Sequence, residues 1–150
     1  MKEHMMGLDM YLKGKRFMWY KEREDEAWQE LDKYTKGRKV SLIELELGYW
    51  RKANAIHGWF VRNVQGNVDN CDEYFVKYSD LVKLRDVCFE VLANKNPELL
   101  PPTAGFFFGS SEVDEWYWGE IDSTYEMMKD LCQDEDIING VVDVFYQSSW

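Results

Sequence analysis

Residues 42–64 read Leu42-Ile43-Glu44-Leu45-Glu46-Leu47-Gly48-Tyr49-Trp50-Arg51-Lys52-Ala53-Asn54-Ala55-Ile56-His57-Gly58-Trp59-Phe60-Val61-Arg62-Asn63-Val64. Within this stretch the apolar period changes from two to about 3.6. Ile43, Leu45 and Leu47 alternate with Glu44 and Glu46, the pattern of a strand with one buried face. From about Gly48 to Val64, residues Tyr49, Ala53, Ile56 and Phe60 keep the i, i+4, i+7, i+11 spacing of a helical stripe. Gly66 and Asn67 then stop the helix. A strand running directly into a helix predicts a mixed fold.

The flanking sequence repeats both patterns. Leu8, Met10 and Leu12 alternate with Asp9 and Tyr11 and predict an N-terminal strand. Residues 22–35 place Ala27, Trp28, Leu31 and Tyr34 on one helical stripe that Gly37 ends. Tyr74 to Val76 reads as a short strand. Ser79 reads as the cap of a helix carrying Leu81, Leu84, Cys88 and Val91, with Asp80 in its first turn. Pro97, Pro101 and Pro102 predict a break in regular structure, continued through Gly105 to Gly109. Ser111 with Asp114 resembles a capping box opening a long helix to about Cys132, its stripe being Tyr117, Ile121, Thr124, Met128 and Leu131. A last strand is expected from Val141 to Gln147, after Gly140. The sum is an α+β fold: a small antiparallel sheet of three to four strands with about four helices packed mainly on one face. Residues 1–150 read as a single domain, with 1–6 a loose N-terminal tail.

Charge is unevenly placed. The formal net charge is −10, yet residues 1–111 carry 17 Lys and Arg against 17 Asp and Glu. Residues 112–136 hold ten acids against Lys129 alone. An acidic pole of this kind repels phosphates, so duplex nucleic acid is an unfavourable partner. Cys71, Cys88 and Cys132 are odd in number and form no CxxC, which indicates neither a disulfide framework nor a zinc site. The opening MKEHMM lacks the apolar stretch of a signal peptide, and no apolar run reaches membrane-spanning length. The expectation is a cytoplasmic protein with no membrane partner.

Against this background, Leu47 to Val68 is a run of 22 residues without an acid. As one helix, it would align Arg51, Ala55, Gly58 and Arg62: two small residues between two guanidinium groups whose Cα atoms lie roughly 16 Å apart. Beside this trough would lie Trp50, Asn54 and His57. Arginine forks onto phosphate oxygens and aromatic rings stack on bases, so the trough would suit a nucleotide-sized ligand or a second subunit. Lys52 and Trp59 belong to the same patch. The alternative for Asn54 and His57 is a hydrogen-bond network at the edge of the core. Phe107, in Gly105-Phe106-Phe107-Phe108-Gly109, is a further candidate because three consecutive rings cannot all enter one core. Trp116 is another, since Trp116, Tyr117 and Trp118 point in three directions. The ligand-binding set is therefore Trp50, Arg51, Lys52, Asn54, His57, Trp59, Arg62, Phe107 and Trp116.

No catalytic residue is expected. GxSxG, P-loop, HExxH and GxGxxG patterns do not occur, and His57 has no sequence-visible nucleophile. Asp9 with Glu44 and Glu46 could gather metal only if their strands were neighbours, and solvated strand carboxylates are the commoner outcome. No cofactor and no metal are expected.

Several of these segments together resemble a family of small phage and prophage proteins. They are Gly7-Leu8-Asp9-Met10-Tyr11-Leu12, Glu46 to Asn54 with His57-Gly58-Trp59-Phe60, Leu99-Leu100-Pro101 before Gly105 to Gly109, Asp114-Glu115-Trp116-Tyr117, and Tyr146-Gln147-Ser148-Ser149-Trp150. The resemblance leaves out residues 14–39 and brings no catalytic residues. It implies a context of anti-defence proteins acting in the host cytoplasm, some sequestering nucleotide immune signals and others binding a defence protein. The first expectation is a homo-oligomeric, non-enzymatic sponge for a nucleotide-type molecule. The alternative is an acidic charge mimic that inhibits a host defence protein through residues 112–136.

Overall fold

The computed structural model describes residues 7–18, 29–104 and 110–150. Four antiparallel strands, β1 (Asp9–Phe17), β2 (Leu42–Arg51), β3 (Tyr74–Val76) and β4 (Asp143–Ser149), form one sheet in the order β2-β1-β4-β3. The two ends of the described chain meet at its centre: Met10 lies opposite Ser148 and Leu12 opposite Tyr146. Alternation assigns the faces. Met10, Leu12, Trp50, Val76, Val144 and Tyr146 point into the core, where they meet the buried sides of three helices. Tyr11, Lys13, Phe145 and Phe75 turn to the opposite face.

Those helices are α2 (Asn54–Asn63), α3 (Tyr78–Asn94) and α4 (Glu115–Leu131); shorter turns are α1 (Asp32–Thr35), a 3-10 turn at Pro97–Leu99 and α5 (Glu135–Ile138). The α+β class is as expected. The apolar stripe of α4 is also as expected, Tyr117, Ile121, Thr124, Met128 and Leu131 being its buried residues. So is that of α3, with Leu81, Leu84, Cys88 and Val91 buried.

The main correction falls at residues 48–53. No helix spans 48–64. β2 continues through Gly48, Tyr49, Trp50 and Arg51, and the chain turns at Lys52 (φ 56°) before α2 begins at Asn54. Gly48 pairs with Leu12 and Trp50 with Met10. The Trp50 indole N–H donates to Thr124 Oγ1 on α4 at 2.9 Å. Gly48 lies beneath the Met127 thioether, which would have to shift to admit a Cβ there. Cross-strand pairing and burial by α4 hold as strand what the helical spacing assigned to helix.

Smaller corrections concern ends. α3 starts at Tyr78 with Lys77 in the cap position, two residues ahead of the expected Ser79 cap, and the Asp80 carboxylate accepts the Lys77 N–H at 3.0 Å. Asp114, not Ser111, caps α4, accepting the Tyr117 N–H at 3.1 Å. β4 runs two residues later than expected, and the proline segment contains the 3-10 turn because proline is tolerated in a first turn. Of the helix expected over 22–35, the portion Asp32–Thr35 is described; residues 22–28 and the tail 1–6 lie outside the described residues. Among the described residues no helix is long and apolar enough to cross a membrane.

Candidate functional site

Shortening the helix takes the predicted trough apart. Arg51 sits at the end of β2, where its Nη1 donates to Asp9 Oδ1 at 2.9 Å and the Tyr49 hydroxyl donates to the same oxygen. Arg62 remains on the exposed side of α2. The small residues between them are already occupied. Ala55 is buried, and the Thr103 hydroxyl lies where a Gly58 side chain would project. The missing side chain of Gly58 admits the protein's own Thr103.

The polar members of the set hold that packing. Asn54 is buried and its amide spans two segments: Oδ1 accepts the Thr103 N–H at 2.9 Å and Nδ2 donates to the Ser110 carbonyl at 2.7 Å. His57 is fully buried, with Nε2 at 2.9 Å from Asp69 Oδ1 and Nδ1 at 2.7 Å from the Tyr146 hydroxyl. A carboxylate only accepts, so Nε2 carries the proton and Nδ1 accepts the Tyr146 O–H. Burial pushes the His57 pKa down while Asp69 opposes it. Tyr146 in turn stacks on Phe60, centroids 3.9 Å apart. Trp50 and Trp59 are core residues, each 5% exposed. The core-edge network, the alternative weighed for Asn54 and His57, is the arrangement they adopt. Phe107 lies outside the described residues.

Lys52, Asn54 and Trp116 are the three predicted residues brought to one place. They line a cleft of about 280 Å³ between the β2–α2 turn and the first two turns of α4. Trp116 is 79% exposed. The other groups at this cleft include Glu112, Asp114 and Glu120. Trp116 and Glu120 also edge a shallow depression on the next side of the helix, with Glu115, Gly119 and Ser123. The Glu120 backbone carbonyl accepts the Thr124 hydroxyl, but its carboxylate has no hydrogen-bond or ion-pair partner among the described residues, and burial, reinforced by Asp114, pushes that carboxyl up to about 7. Tyr117 is engaged elsewhere, its hydroxyl donating to the Leu100 carbonyl at 2.7 Å. Another cleft, of about 260 Å³, lies between Met18 and residues 32–40 and contains none of the predicted residues.

Sequence reading missed Glu120 and Asp114 as members of a site. The available signal was their spacing: Trp116 and Glu120 stand four apart on α4, one turn beyond the acidic cap. The metal cluster considered at Asp9, Glu44 and Glu46 is dispersed by register. Asp9 faces Arg51, Glu46 faces Lys13 and Glu44 faces Lys15. No group of three metal-ligating side chains occurs among the described residues. No family model, curated protein or solved structure matches this chain.

Proposed function

We propose that this is a binding protein without catalytic activity that docks its acidic α4 face on a basic site of another protein. In the setting implied by the phage resemblance, that partner is a host defence protein and docking inhibits it. The observation that carries the reading is the state of the acids in residues 112–136. Eight of the ten are exposed and two are half-buried, and Asp136 alone is ion-paired with a described cation, Arg16 at 3.4 Å. An unpaired face of one sign steers association and selects a partner of the other.

A second reading, sequestration of a nucleotide-type molecule, is favoured by one specific observation: Lys52 and the Trp116 ring share a cleft. Against it, the same cleft presents three carboxylates to one ammonium, which opposes a phosphate. The two readings separate experimentally. Neutralising Asp122, Glu126 and Asp130 together should abolish salt-sensitive capture of a partner from host lysate, with the melting temperature unchanged. Undiminished capture would reject the docking face. A nucleotide panel in thermal-shift measurements tests the second reading. A rise in melting temperature that disappears in Lys52→Ala and Trp116→Ala would favour it.

A further inference from the structure

We infer that the cleft beside Trp116 is the seat of a single arginine side chain from the protein partner, whose guanidinium stacks on the indole and donates to Glu120 and Asp114. The inference rests on the docking reading above and names the group that anchors it.

Size, wall and charge converge on that occupant. Small-molecule sites enclose roughly 300–1,000 Å³. At about 280 Å³ the cleft falls just below that range, a size suited to one long side chain. One wall is an exposed indole, the preferred surface for a planar cation. The remaining hydrogen-bonding capacity is mostly acceptor. The Asn54 amide is engaged at both ends and the Tyr117 hydroxyl is donated away, while the Glu120 carboxylate has no partner among the described residues. Three carboxylates against Lys52 alone require an occupant that brings donors and positive charge together. A guanidinium supplies five N–H donors in a plane, and an ammonium does not match that shape.

A proton accompanies binding. The charged and titratable groups around Glu120 are Glu112 and Asp114 ahead of α4, Glu115 on α4, and Lys52 on the β2–α2 turn. Tyr117, pushed up to about 12 by burial, keeps its proton. A guanidinium favours the ionised form of Glu120, so binding releases a proton below about pH 7 and tightens as pH rises.

The test uses the full chain and the peptide N-acetyl-Gly-Arg-Gly-amide, with its citrulline counterpart as the uncharged control. The readout is the indole N–H NMR signal of Trp116, identified by its loss in Trp116→Phe. The arginine peptide should move this signal saturably, and its affinity should rise about tenfold from pH 6 to pH 8, as Glu120 goes from about one-tenth to nine-tenths ionised. In Glu120→Gln, binding should weaken and the pH dependence should flatten. Citrulline should leave the signal in place. Absence of a saturable shift, equal binding of citrulline, or an unaltered pH profile in Glu120→Gln would overturn the inference. Movement by guanosine monophosphate but not by the arginine peptide would overturn it in favour of a nucleotide. Loss of partner capture on neutralising Asp122, Glu126 and Asp130, with Trp116 unmoved by the peptide, would remove the anchor while leaving the docking face in place.

Discussion

At the scale of single residues, two side chains separate structural roles from a role at the cleft. Glu120 ionises at about 7 in the folded chain, against an ordinary 4.5. Between those values the native state binds more protons than the unfolded state, so this group lowers stability as pH rises through the window. Glu120→Gln should therefore leave the melting temperature nearly unchanged at pH 4 and raise it above pH 7. A deficit for the variant at high pH would mean that the carboxylate has a stabilising partner. Arg51 and Arg62, equivalent in the helical reading, should now differ. Asp9 is 6% exposed, and Arg51→Ala removes its guanidinium partner, so the midpoint of urea unfolding should fall. Arg62 is exposed, and Arg62→Ala should stay within about 0.5 kcal/mol. Equal effects would restore the equivalence of the two arginines.

Between elements, polar side chains join what the apolar core packs. His57 on α2 bridges Asp69 in the following loop and Tyr146 on β4, while Asn54 on the same helix holds Thr103 and Ser110. These bonds explain why the helix has no polar face until Val61: seven consecutive residues, Asn54 to Phe60, are buried. A helix buried all round needs its polar side chains satisfied from other elements. Tyr146→Phe removes the proton donor facing His57 Nδ1 while keeping the ring stacked on Phe60. It should cost about 1–3 kcal/mol, the scale for depriving a buried acceptor of its donor. A double-mutant cycle with Asp69→Asn should show coupling, since both changes act on one imidazole. Additive effects would place Asp69, which is 36% exposed at its side chain, outside the network.

For the whole molecule, the sheet turns rings outward as well as inward: Tyr49 is 44% and Phe75 53% exposed. The Ala55–Gly58 trough, one reason for expecting a homo-oligomer, is filled from within, so that proposal now rests on these outer-face rings. If they meet in a second copy, light scattering should give a mass above one 17.9 kDa chain at micromolar concentration and a lower one on dilution. A constant single-chain mass over a hundredfold range rejects self-association. The sequence by itself determined the α+β class, the buried stripes of α3 and α4, the start of β1 through Leu12 and the acidic pole, because each is written in local periodicity or charge. Tertiary structure alone decided where β2 ends. Tyr49, Ala53, Ile56 and Phe60 satisfy a helical period, but Gly48 and Trp50 meet β1 on one side and α4 on another, and those partners lie far away in sequence. It also decided the site. Lys52 and Trp116 are 64 residues apart and come together because α4 packs across the sheet beside the β2–α2 turn. Small residues in a row mark a close approach, and only the folded chain shows that its own Thr103 is what approaches.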